Sequence, residues 1–367
     1  MTQPASAAAD RKRVGGFDGL RAISALLVFF EHRVRDMGTG AIGVWIFFCL
    51  SGYLIVGILN RSRRKLEAAP NTLGPGRALL DFWKNRALRI LPIYYLVTAL
   101  VFGLTTLESS RALPYYALYV QNFYIAFVTH AWSGITHFWS LAVEQQFYVL
   151  WAPLLILVSA RAHARLLAVV LTACVGVTLY GEARGWDGMA MSLLPPANFA
   201  FMALGGLAVL AAPGSLAQRF FGSTALLVVS VLAFGASFAV TRSAYDALGG
   251  TPLVVYVTAL FFSATLVGWT AQHQSSGVVR LLEIPLLRWL GTISYGFYVY
   301  HPLLPGRERI ALWLGADWLH RVPWSLWILL ELAASLVVSH VSWKYFERRF
   351  LALKKSAAKP VAAPVTE

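Results

Sequence analysis

The chain has 367 residues, of which 58% are hydrophobic and only 13% charged, against roughly 45–50% and about 25% in soluble globular domains. So much apolar surface cannot be hidden in one water-soluble core, and lipid is the expected solvent. Lysine and arginine number 31 against 17 aspartates and glutamates; in a membrane chain that excess belongs to basic loops, and nucleic-acid binding is set aside.

Taken in chain order, Arg11, Lys12 and Arg13 precede an apolar stretch, as in a secretory leader. That stretch carries Arg21, Glu31 and His32 and lacks a small-residue cleavage site, so it reads as a retained first transmembrane helix. A bilayer core of about 30 Å needs roughly 20 apolar residues per helix. Such windows recur ten times, near residues 17–35, 42–60, 88–107, 137–159, 166–181, 193–211, 222–240, 251–271, 289–305 and 324–345. The expected fold is therefore an all-α polytopic membrane protein of about ten transmembrane helices. Residues 113–127 (LPYYALYVQNFYIAF) are too polar at Gln121 and Asn122 to cross, and read as an interfacial or re-entrant segment.

Threading these spans puts 22 of the 31 cations on one side and eight on the other, with Arg21 inside the first helix. All seven lysines fall on the richer side, so both termini are expected to be cytoplasmic. This divides the chain into a cytoplasmic tail (1–16), a transmembrane domain (17–350) and a disordered cytoplasmic tail (351–367), with no appended soluble catalytic domain. Cys49 and Cys174 lie in apolar runs with no metal-ligand spacing and read as packing residues; no metal is expected.

Ionisable groups inside a bilayer are costly and are the default candidates for function. Arg21 and His32 are eleven residues apart, about 16 Å and three turns, so they share a helix face at different depths. Glu144, in HFWSLAVEQQFYVLW, is expected at the depth of His32, where a carboxylate can fix the tautomer of an imidazole. Taken alone, His32 is equally an interfacial hydrogen bonder. In LGTISYGFYVYHPLL, Tyr295, Tyr298 and His301 recur every three residues as a polar stripe, a candidate substrate-binding face or an aromatic belt. His301 is a second acid/base candidate or, with Pro302, a helix stop. Arg86 and Arg89 in KNRALRILP face one way at the start of the third span, suited to phosphate but also expected of any cytoplasmic flank. Arg61, Arg63, Arg64 and Lys65 read as topological signal or lipid-headgroup contacts. Two layers result, arginines near the cytoplasm and His32, Glu144 and the tyrosines deeper, and an elongated phosphorylated carrier can span them.

These residues resemble the membrane acyltransferase 3 family. FDGLRAISALLVFFEH is similar to its basic-residue, ten-spacer, histidine motif, carried by Arg21 and His32, and GVWIFFCLSGYLI to its FFxLSGFLI block. RALRILPIYY resembles its Arg-x-x-Arg segment, HFWSLAVEQQFY its WSLxxExxFY block, and LGTISYGFYVYHPLL its SYGxYxxH block. Gln145 stands where a second acidic residue is common, and Glu347-Arg348-Arg349-Phe350 replaces an EKPF-like ending. The resemblance implies an O-acetyltransferase of the bacterial inner membrane that moves an acyl group from acyl-coenzyme A to a polysaccharide or its lipid-linked precursor. It implies that Arg86, Arg89 and Arg21 contact the donor's phosphates, that His32 is the general base and that Glu144 orients it. Relatives often carry a fused extracytoplasmic hydrolase-like domain; without one, this chain is expected to act alone or with a separate partner. O-acylation of a small metabolite such as a macrolide, and non-catalytic transport of a lipid or sugar, stand as the alternatives.

Overall fold

The computed structural model describes residues 13–34, 38–70, 74–105, 109–132, 134–248 and 251–356. Residues 1–12 and 357–367, where most of both expected tails falls, lie outside the described residues. Among the described residues the chain is all helical, with no strand. Ten main helices fall on the ten expected spans: α1 (Phe17–Arg33), α2 (Thr39–Ala68), α3 (Pro75–Leu104), α4 (Trp139–Leu157), α5 (His163–Ala183), α6 (Pro195–Leu210), α7 (Thr224–Leu248), α8 (Leu253–Gln272), α9 (Pro285–Tyr300) and α10 (Trp324–Ser342). Eight stretches, all except α1 and α9, are long and apolar enough to cross a membrane. The chain is a multi-pass integral membrane protein. α1 and α9 have 17 and 16 residues, roughly 25 Å each.

The largest departure from expectation is at α2 and α3. Each has 30 residues, roughly 45 Å against a core of about 30 Å, so the basic stretch expected as a loop mostly extends the two helices. Lysine, arginine and glutamate are strong helix formers. The extension is also stapled by Arg63 to Glu67 at 3.0 Å and by Arg77 to Asp81 at 3.4 Å, both spaced i to i+4. We call this end of the bundle, where α1 starts, the basic end, and the opposite end the far end. Beyond α10 the chain continues through a π-helical turn, Trp343–Glu347, into a helix over Arg348–Ser356. The first six residues of the expected C-terminal tail are thus helical.

The expected interfacial segment lies at the far end as short helices, Leu113–Ala117 and Gln121–Tyr124. Its polar residues are buried and paired. Gln121 Nε2 donates to the Phe138 carbonyl at 2.7 Å, and Asn122 exchanges hydrogen bonds with Gln146. At the basic end the exposed backbone N–H groups of the α1 start are satisfied in the same way: Gly15 N donates to Gln274 Oε1 at 2.8 Å and Gly16 N to Glu283 Oε1 at 2.5 Å.

Within lipid, helices associate by close packing rather than by hydrophobic burial, and small residues let backbones approach. At the α2–α6 crossing the contacts are reciprocal: a Cβ on Gly52 would overlap the Met202 carbonyl, and one on Gly205 would overlap the Cys49 carbonyl. Gly291 of α9 meets the Asp18 carbonyl of α1 in the same manner. α2 is thereby held deep in the bundle, whereas α5 and α7 form a mostly exposed flank. Forcing a side chain into such a contact costs about 1–3 kcal/mol or more. Gly205→Leu is expected to lower the thermal midpoint of the detergent-solubilised protein. Gly235→Leu, where an added Cβ meets nothing within 4 Å, should leave it unchanged; equal midpoints would contradict this packing.

Candidate functional site

The five sequence blocks, distant along the chain, converge on one cavity of about 90 Å³ between α1, α2, α3, α4 and α9. Its polar wall contains Arg21, Ser51, Arg86, Arg89, Glu144 and Tyr295. Glu144 is the carboxylate of that wall, accepting a hydrogen bond from Ser51 Oγ at 2.6 Å and a short one from the Tyr148 hydroxyl. The Arg86 guanidinium lies 5.8 Å from the Phe82 ring centre and 5.7 Å from that of Tyr148, within cation–π range of both rings. Arg21 is 3.4 Å from Asp18. Among the described residues neither Arg86 nor Arg89 has a carboxylate at ion-pair distance, so positive charge is in excess.

A second opening, of about 510 Å³, lies at the far end and is lined by His32, His137, Trp45, Trp132, Trp139 and Tyr298. His32, the penultimate residue of α1, places Nδ1 2.7 Å from His301 Nε2, with the two rings edge to edge, 15° from coplanar and 5.0 Å between centres. His301 Nδ1 in turn is 2.9 Å from the Phe297 carbonyl. His137 sits edge-on to both, 6.0 Å from the ring of His32 and 5.9 Å from that of His301. Its Nε2 is buried and has no hydrogen-bond partner among the described residues. No three His, Cys, Asp or Glu side chains among the described residues are grouped to hold a metal ion.

Tyr298 stands between the two spaces and, with Val44, lines both. Its hydroxyl donates to the His137 carbonyl at 2.6 Å and lies 2.7 Å from Ser140 Oγ. One turn earlier on α9, Tyr295 donates to the Ile90 carbonyl at 2.7 Å, tying α9 to α3 where Arg86 and Arg89 stand. The tyrosine stripe is therefore part of the cavity wall rather than a belt at the membrane surface.

The expected pairing of His32 with Glu144 does not form. His32 has His301 as its partner, while Glu144 belongs to the arginine-lined cavity, more than a turn into α4. The physical reason is position along each helix: His32 is at the very end of α1, whereas Glu144 is the sixth residue of α4, about 7.5 Å in from its start. His137, in the short 3₁₀ turn Thr136–Phe138 just before α4, is the residue beside His32. His301, read as a possible substrate contact, lies wholly buried behind His32 and lines neither opening. Of the basic run, Arg63 is spent on Glu67 and on the Ile156 carbonyl, in support of a structural role. Sequence reasoning passed over His137, Ser51, Ser140 and Tyr148. The signal for them was their place inside the same blocks that carry Glu144 and the tyrosines.

Comparison with known proteins gives this arrangement a context. A Bacillus subtilis (strain 168) protein named provisionally as a peptidoglycan O-acetyltransferase, YrhL, is 31% identical over 326 residues, covering 78% of this chain and 48% of its own. Peptidoglycan O-acetyltransferase OatA of Listeria monocytogenes serovar 1/2a is 28% identical over 373 residues, with 92% and 56% covered. O-acetyltransferase OatA of Staphylococcus aureus (strain NCTC 8325 / PS 47) is 23% identical over 355 residues, with 90% and 56% covered. The chain spans about half the length of these relatives. No solved structure matches it. The family model described as an acyltransferase domain matches residues 14–344, nearly the whole of the described helical bundle, and the chain belongs to the acyltransferase 3 family.

Proposed function

We propose that this chain is an O-acyltransferase that moves an acyl group, most simply acetyl, from acyl-coenzyme A to a hydroxyl of a cell-surface or exported polysaccharide or its lipid-linked precursor, in a bacterial inner membrane. The observation that carries the reading is the excess of arginine in the inner cavity, set against an imidazole on the other side of one tyrosine. Uncompensated guanidinium groups at membrane depth are costly unless an anion joins them, and the phosphates of coenzyme A supply that charge in the planar geometry that arginine favours. The names of the relatives support acetyl transfer to a cell-wall polysaccharide.

On this reading the basic end is cytoplasmic. The donor's phosphates meet Arg86, Arg89 and Arg21, and its arm runs along the cavity so that the thioester reaches Tyr298. An acceptor enters from the far end, whose opening is lined by Trp45, Trp132 and Trp139. His32 takes the proton from the acceptor hydroxyl as that oxygen bonds to the thioester carbonyl carbon. The carbon–sulfur bond then breaks, and the departing thiolate takes the proton back from the imidazolium, giving ester and free thiol. Glu144 holds Ser51 and Tyr148 and offsets part of the arginine charge, a role in placing the donor rather than in orienting the base.

His32→Ala is expected to lower turnover by about 10²- to 10⁴-fold, the usual worth of a general base, while acetyl-coenzyme A still binds. This is checked by thiol release and direct binding in lipid nanodiscs, and normal turnover would remove His32 from the chemistry. Replacing Arg86 and Arg89 together by alanine removes charge-assisted contacts worth about 1.5–3 kcal/mol each. The dissociation constant for acetyl-coenzyme A should therefore rise by at least tenfold; an unchanged constant would take the phosphates away from this cavity.

A further inference from the structure

We infer that His301 is a positioning residue that fixes the tautomer of His32, so that the nitrogen acting as base is Nε2. The inference rests on the proposal that His32 is the general base, and supplies the orienting group that Glu144 was expected to provide. It follows from which atoms can donate. The Phe297 carbonyl only accepts, so the 2.9 Å contact requires the proton of His301 on Nδ1. A neutral His301 then has an unprotonated Nε2, which accepts from its neighbour 2.7 Å away, and His32 must carry its own proton on Nδ1. Its Nε2 is left with the lone pair, and no described residue hydrogen-bonds to it. His137 is hydrogen-bonded to neither ring among the described residues, so it does not compete for the shared proton.

The surroundings hold this chain of donors rigidly. The His301 ring is stacked on Phe297 at 5.7 Å and packed against Phe29, which keeps water from the back of the pair. Its backbone is pinned from the side: Arg33 Nη2 donates to the His301 carbonyl at 2.5 Å and to the Leu304 carbonyl at 3.1 Å. Arg33 is itself held by Glu331 at 3.3 Å. This largely buried ion pair fastens the end of α1, which carries His32, to the end of α9, which carries His301, and to α10. The logic is that of a hydrolytic triad, in which a fixed acceptor behind the imidazole decides which nitrogen is free to act. Here a backbone carbonyl and a second imidazole take the place of the carboxylate.

Two substitutions separate this role from packing. His301→Phe keeps a flat ring in the stack but removes the acceptor, whereas His301→Gln offers an amide oxygen to the His32 Nδ1–H. The Phe variant is expected to lose about 10²-fold in kcat with KM for acetyl-coenzyme A unchanged, and the Gln variant to stay within about tenfold of the unmodified protein. A Phe variant as active as the unmodified protein, or a Gln variant as impaired as Phe, would overturn the assignment. The tautomer can also be read without any variant, from ring ¹⁵N signals of histidine-labelled protein in nanodiscs. A protonated Nδ1 and bare Nε2 on His32 are expected, and the reverse would overturn the inference. That reading does not depend on turnover, so it stays distinct from the test of His32 as base.

Discussion

In a bilayer a hydrogen-bonding or charged side chain must face another such group or a ligand, because lipid offers neither donor nor acceptor. That constraint organises this molecule. Asn122 and Gln146 exchange hydrogen bonds at the far end, Gln121 donates to the Phe138 carbonyl, Arg33 and Glu331 pair across α1 and α10, and His32 and His301 share a proton. Around the inner cavity the described carboxylates leave Arg86 and Arg89 without ion pairs. That excess of cations is what the proposed donor's phosphates would answer.

Close packing makes the arrangement possible. Reciprocal contacts at Gly52 and Gly205 bring α2 against α6, and Gly291 brings α9 against α1. Across other helix pairs short side chains make the polar contacts: Ser51 of α2 reaches Glu144 of α4, and Ser140 of α4 reaches Tyr298 of α9. Tyr298 and Val44 line both spaces and so stand between them. On the proposed function, such a division suits group transfer between reactants from opposite sides: the donor would keep its charged end at the basic side and the acceptor its sugar at the other.

Most of the fold was legible in the sequence, since ten apolar windows of about the right length can hardly be anything else. The extension of α2 and α3 past the membrane was not, because a run such as RSRRKLEA reads as charge first and as strong helix-forming residues only second. Arg21, Arg86, Arg89, Tyr295 and Tyr298 were legible as a group through their spacing and blocks, and the structure brings them to one wall. The partner of His32 was not. Depth counted along the spans set Glu144 beside it, whereas His32 stands at the very end of α1 and Glu144 lies more than a turn inside α4, so that His137, just before α4, is its neighbour instead. Nor does spacing reveal that His301 faces His32, since 269 residues separate them and only the parallel packing of α1 and α9 closes the gap.

The central claim is that a donor site and the base meet across Tyr298. It is tested most directly by a structure of the protein in nanodiscs with a non-hydrolysable acetyl-coenzyme A analogue. The expected density places the phosphates at Arg86 and Arg89 and the acetyl group at Tyr298, on the side facing His32. Phosphates bound in the far cleft beside His32 and His137, with the arginine-lined cavity empty, would contradict it.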